Sequence, residues 1–101
     1  MAVEILPHLS HKARMTASDA FTAIADPHRR HILEELRRSP KSVSEIAAGL
    51  PVSRPAVSQH LKVLLDSGLV VSSSSGTRRI YALSAPGFLK LNLWLDQFWS
   101  A

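Results

Sequence analysis

Ser53-Arg54-Pro55-Ala56-Val57-Ser58-Gln59-His60-Leu61-Lys62-Val63-Leu64-Leu65-Asp66-Ser67 is the stretch on which the reading of this chain turns. Ser53 stands where an N-cap hydroxyl belongs. Pro55 falls in the first turn, where a missing N–H costs nothing, and Gly68 closes the segment. At about 100° per residue, Val57, Leu61, Leu64 and Leu65 gather on one side, which must pack down. The other side carries Pro55, Ser58, Gln59 and Lys62, with Arg54 at its margin. No carboxylate appears before Asp66, whereas an ordinary wet face mixes both signs. Arginine pairs with guanine, glutamine with adenine and serine with either, so this face has the chemistry to read base edges. Lys62, a turn further on, is placed for a phosphate. The competing reading is an ordinary amphipathic helix with a solvated polar face.

The residues just upstream supply the partner of this helix. Ser42-Val43-Ser44-Glu45 matches a capping box, so a short helix from Val43 to about Gly49 is expected, burying Val43, Ile46 and Ala47. Gly49-Leu50-Pro51 stops it. Two capped helices around a tight turn predict a helix-turn-helix. Further back, Asp26-Pro27 starts a helix that runs to about Arg38, burying Ile32, Leu33 and Leu36, and Ser39-Pro40 ends it. Phe21, Ile24 and Ala25 recur at helical spacing within a first helix over Thr16–Ala25. Residues 1–15 read as a flexible or short-helical arm ahead of one domain spanning 16–101. A disordered terminus is the simpler alternative.

Downstream the period changes to two. Leu69-Val70-Val71 and Ile80-Tyr81-Ala82-Leu83 predict a β-hairpin, with Ser72–Ser75 and Gly76-Thr77 between them at its tip. Arg78 and Arg79 sit at or just past that tip. Neighbours on a strand point opposite ways, so one can enter a groove while the other grips backbone. Basic residues also serve simply to blunt an edge strand. Pro86-Gly87 restarts the chain as a last helix, Phe88–Trp99, apolar nearly all round: Phe88, Leu89, Leu91, Leu93, Trp94, Leu95, Phe98 and Trp99. One side of it must face the domain and the other a partner. Homodimerisation against the Phe21/Ile24 helix is the economical arrangement. Its candidate interface is Phe21, Ile24, Leu91, Trp94, Leu95, Phe98 and Trp99. The alternatives are an apolar small-molecule effector bound there between the two tryptophans, or a protein partner docked on the last helix.

Composition narrows the classes. A chain of 101 residues, 46% hydrophobic and 20% charged, makes one domain with a core. Its net charge of +4 favours a polyanion. The absence of cysteine excludes disulfides, thiolate zinc sites, iron–sulfur ligation and cysteine nucleophiles. No apolar run reaches the ~18 residues of a membrane span. The stretch Met1–Leu9 does not read as a signal peptide, so the cytoplasm is the expected location. His28 and His31 have a spacing that can hold zinc. However, Arg29 and Arg30 lie between them and no third ligand is evident, so no metal or other cofactor is expected. Ser58 and His60 point in different directions on their helix and there is no phosphate loop, so no enzyme is expected.

Taken together, the chain resembles the winged helix-turn-helix regulators of the ArsR type from Ala17 to Trp99. The resemblance rests on Ala25-Asp26-Pro27-His28-Arg29-Arg30-His31-Ile32-Leu33, on Leu50-Pro51-Val52 leading into Ser53–Leu64, on Gly68-Leu69-Val70 and on Gly76-Thr77-Arg78-Arg79-Ile80-Tyr81-Ala82-Leu83. The run Trp94-Leu95-Asp96-Gln97-Phe98-Trp99 is similar to the last helix of a cysteine-free branch. The resemblance implies a mainly α fold with a hairpin wing. It also implies a homodimeric transcriptional repressor joined through its first and last helices, with each Ser53–Ser67 helix in a major groove of double-stranded operator DNA. The expected DNA-facing residues are Lys41, Ser42, Ser53, Arg54, Ala56, Ser58, Gln59, Lys62, Arg78 and Arg79. Metal sensing is not implied. Relatives that sense metals carry cysteines where this chain has Ser44, Glu45, Ile46 and Ala47, or ligands on a last helix that here has Asp96 but no histidine. The wing has serines where relatives often carry charges.

Overall fold

The computed structural model describes residues 20–100. The expected arm over 1–15 and the start of the first helix lie outside them. Residues 20–25 form the described end of α1. There follow α2 (Pro27–Arg38), β1 (Lys41–Ser42), α3 (Val43–Ala48), α4 (Arg54–Asp66), β2 (Val70–Ser75), β3 (Arg78–Leu83) and α5 (Ala85–Asp96). The strands make one antiparallel sheet in the order β1-β3-β2. The result is a winged helix-turn-helix.

The helix starts follow the capping chemistry. The Asp26 carboxylate accepts from the backbone N–H of His28 at 2.8 Å and of Arg29 at 3.1 Å. At α3 the box is reciprocal: Ser42 Oγ accepts from Glu45 N, and Glu45 Oε1 accepts from Ser42 N. Ser53 Oγ accepts from Ala56 N and caps α4. Ile32, Leu33 and Leu36 of α2, Ile46 of α3, and Val57, Leu61 and Leu64 of α4 then converge on Leu69, Val70, Tyr81 and Leu91 as one core. Leu65, expected on the same buried face, is only partly covered.

Two arginines finish α1. Arg29 donates to the carbonyls of Thr22 and Ala23, and Arg30 to those of Ile24 and Ala25. The four carbonyls that a helix leaves open at its C-terminus are all taken. Arg29 also bonds His60 Nδ1 on α4 at 3.3 Å, so one guanidinium touches two helices besides its own.

Three expectations need correction. The serines at 72–75 are not the hairpin tip: they are strand, and Ser72, Ser73, Ser74 and Ser75 pair with Tyr81, Ile80, Arg79 and Arg78. The turn is Gly76-Thr77 alone. Gly76 has φ +65°, the positive value that the first central residue of a tight hairpin demands. Second, the last helix begins at Ala85 and ends at Asp96. Ser84 Oγ accepts from Gly87 N, which makes Ser84 the cap and puts Pro86 in the first turn. Third, β1 was not expected. Lys41 and Ser42 pair with Tyr81 and Ile80 and add a strand to the hairpin.

Asp26 yields a pH prediction. Partial burial pushes its carboxyl up, but the N–H bonds from Arg29 and His28 outweigh this and hold it below its ordinary value of 3.8. A depressed carboxyl stabilises the fold above its unfolded pKa, and that contribution vanishes as pH falls through the folded value. Asp26→Ala is therefore expected to cost about 1 kcal/mol near neutrality. Below the folded value the cost should be smaller, since a neutral carboxyl keeps an acceptor oxygen but loses the charge-assisted part of the bonds. Urea unfolding of both proteins on either side of that value checks this.

Candidate nucleic-acid interface

α4 lies with Val57, Leu61 and Leu64 fully covered and Arg54, Pro55, Ser58, Gln59 and Lys62 in solvent. Ala56 is half-buried, and the Ser53 hydroxyl is committed to its cap. Lys62 pairs with Asp66 at 3.6 Å, both side chains largely exposed. Such a pair is worth roughly 0–1 kcal/mol, so the ammonium is free to turn to a phosphate.

The wing brings further cations beside the start of α4. A cleft of about 280 Å³ is bordered by Ser44, Arg54, Thr77, Arg78 and Arg79, so three arginines from two separate elements border one hollow. Arg79 donates to Ser72 Oγ across the hairpin at 3.2 Å. Arg78 instead reaches back to the helix-turn-helix, donating to Ser42 Oγ at 3.0 Å and to Glu45 Oε1 at 3.2 Å. Hydrogen bonding from Ser42 first, and the Arg78 charge after it, hold the Glu45 carboxyl below its usual range. Ser42 is buried beneath this contact. Lys41 turns to the end of α2, donating to the Glu35 carbonyl at 3.1 Å and to Ser39 Oγ at 3.0 Å.

Glu45 and Ser44 were not among the expected site residues. The capping box marked Glu45 as a helix cap. Nothing local could show that an arginine 33 positions later shares the same carboxylate oxygen.

A second surface lies on α5 and the turn that follows it. Leu89, Leu93, Trp94, Leu95, Phe98 and Trp99 are all exposed, the last two at 65% and 66%. Trp94 stacks edge-on against Phe21 of α1, with ring centroids 4.8 Å apart, and Phe98 packs on Trp94 at the same distance. Ile24 is half-buried, whereas Leu91 belongs to the core of its own protomer. A cleft of about 400 Å³ opens beside Phe21, Lys90, Leu91 and Trp94, and Trp99 does not line it. Among the described residues no three of His, Asp and Glu gather as a metal-binding group. None of their helices is long and apolar enough to cross a membrane.

Residues 26–72 match the profile of the bacterial regulatory proteins of the arsR family. The chain is 52% identical over 81 residues to the HTH-type transcriptional regulator Rv2034 of Mycobacterium tuberculosis, covering 80% of this chain and 76% of that one. It is 40% identical over 68 residues to the HTH-type transcriptional repressor SmtB of the same species. That match takes in 67% of this chain and 50% of the relative, so the chain spans about half the length of SmtB. Among solved structures, an ArsR-like transcriptional regulator from Rhodococcus sp. RHA1 superposes with a TM-score of 0.77 at 34% identity, covering 85% of this chain and 81% of its own. The crystal structure of another ArsR family transcriptional regulator gives 0.76 at 31% identity, covering 85% and 98%.

Proposed function

The chain belongs to the arsR family of bacterial regulatory proteins, and from that premise we propose a homodimeric repressor that lays one α4 per protomer in successive major grooves of an operator. The observation that carries the reading is the outward side of α4: Arg54, Ser58, Gln59 and Lys62 stand in solvent with no carboxylate among them until Asp66. In this reading Gln59 and Ser58 meet base edges, Arg54 reads a guanine or holds the groove edge, and Lys62 and Arg79 meet phosphates. The exposed side of α5, continued by Phe21 and Ile24 of α1, is the face that joins two protomers. A contiguous apolar patch of that kind is costly on a soluble monomer and is removed by a second copy. The protein works where the chromosome is, in the cytoplasm, and its role is regulation rather than catalysis.

Selection of bound fragments from random duplex DNA, followed by titration of the selected operator across salt, tests the reading. A preference for one inverted repeat with half-sites about one helical turn apart is expected. Equal affinity for operator and random duplex would defeat it. Within that assay Gln59→Ala should lose about 1–3 kcal/mol of discrimination at a single base pair of each half-site. Lys62→Ala should weaken all duplexes alike and lower the salt slope by about 0.9 per protomer.

A further inference from the structure

Arg78 is the wing residue closest to a role the sequence would give to DNA, and its surroundings point elsewhere. Its guanidinium donates to Ser42 Oγ at 3.0 Å and to Glu45 Oε1 at 3.2 Å. That same Glu45 oxygen accepts from Ser42 N at 2.8 Å, and Ser42 Oγ accepts from Glu45 N. The reciprocal cap of α3 is therefore extended by a third member from β3. Ser42 also pairs with Ile80 in the sheet, so the contact lies where wing and helix-turn-helix already meet. We propose that Glu45 and Arg78 act as a positioning pair that sets the angle of the wing against the reading helix. Arg78 in this role does not touch DNA, and Arg79 and Arg54 are left to do so.

The physical argument is one of commitment. The Arg78 guanidinium holds two partners at once, the Glu45 carboxylate and the hydroxyl of buried Ser42, whereas Lys62 has a single exposed carboxylate at 3.6 Å, so a phosphate would have to displace both bonds to recruit Arg78. The next residue, Arg79, donates to the Ser72 hydroxyl on its own hairpin and so moves with the wing. Val70 and Tyr81 seat the base of the hairpin in the core, and β1, two residues long, pairs with β3. Nearer the tip, where both strands are exposed, this pair ties β3 to α3. The wing tip and the start of α4 border one cleft, so a change in wing angle alters where Arg79 stands relative to Arg54.

This inference rests on the DNA-binding reading, and the experiment keeps the two apart. The test variant is the double substitution Glu45→Gln with Arg78→Met, which has the net charge of the wild type. Glutamine keeps an acceptor for Ser42 N, so the cap survives, and thermal unfolding confirms it. For the double variant we expect the ratio of operator to random-duplex affinity to fall roughly five- to tenfold. Its salt slope on random duplex should equal that of the wild type. Arg78→Met in the Glu45→Gln background should cost little more than Glu45→Gln alone. Arg78→Lys, which can still reach Glu45, should retain part of the preference. The proposal is overturned if the slope drops by about 0.9 per protomer, since Arg78 would then be a phosphate contact. It is equally overturned if the double variant keeps the wild-type preference. A wild-type protein that shows no operator preference at all would instead defeat the DNA-binding reading.

Discussion

Gly87→Ala is expected to lower the stability of the protein by about 3 kcal/mol or more, although alanine in a helix is ordinarily the better residue. Gly87 sits in the first turn of α5 with its backbone against the loop that follows α4. A Cβ there would overlap the Gly68 carbonyl oxygen, lie 2.9 Å from that carbonyl carbon and 3.3 Å from Leu69 Cα. All three are backbone atoms, so no side chain can swing aside. Gly68 itself has φ +81°, a conformation other residues rarely adopt, and its loop is tied by Leu69 N to Leu64 O and Ser84 N to Leu69 O. The loop cannot retreat without undoing the end of α4, so α5 must lift away, taking Leu91 out of the core. For a domain of this size the loss corresponds to a fall in Tm of roughly 12–24 °C. Gly49→Ala is the control. A Cβ there meets the Ile46 carbonyl at 3.8 Å, an ordinary contact, and φ is −102°. Its Tm should stay within a few degrees of the wild type. A Gly87→Ala protein that melts with the wild type would show that the two backbones do not pack so closely.

Phe98→Glu is expected to separate the dimer while leaving each protomer folded. The ring is 65% exposed and its aromatic contact is Trp94, so the core does not depend on it. In the proposed interface it is a large aromatic beside another, the kind of residue whose truncation typically costs 2 kcal/mol or more of association. A carboxylate in its place adds the cost of desolvating a charge. The dissociation constant of the dimer should rise by roughly 30-fold at the least. Sedimentation equilibrium reads this directly, and circular dichroism confirms the fold. Operator affinity should fall in step, because one protomer holds only one half-site. A wild-type sedimentation profile for the variant would remove the turn after α5 from the interface.

The helices were legible because their starts are written in local chemistry. Asp26-Pro27, Ser42 with Glu45, and Ser53 with Pro55 each state a cap within four residues, and the apolar spacing after them gives the buried side. The start of α5 carries the same chemistry in Ser84 and Pro86. It was read three residues late because Pro86-Gly87 also spells a turn. The strand over Ser72–Ser75 was not legible, since serine has little β preference and no apolar alternation marks those positions. The pairing partner Arg78–Leu83 makes them strand. β1 is too short to show any period. The reading face of α4 could be seen in the sequence, because one helix supplies all of it. The engagement of Arg78 with Glu45, and of Arg29 and Arg30 with α1, could not. These contacts join residues that only the fold makes neighbours.

Arg29 closes α1 and holds His60 in the middle of α4 with the same guanidinium. The helix that carries part of the proposed subunit contact and the helix that faces the groove are thus bridged by one side chain. In the proposed dimer a shift of one pulls on the other. The distance between the paired reading helices then depends on how two such protomers are hinged. A molecule that loosens the protein from its operator by acting near α5 would do so by opening that hinge, with α4 carried along.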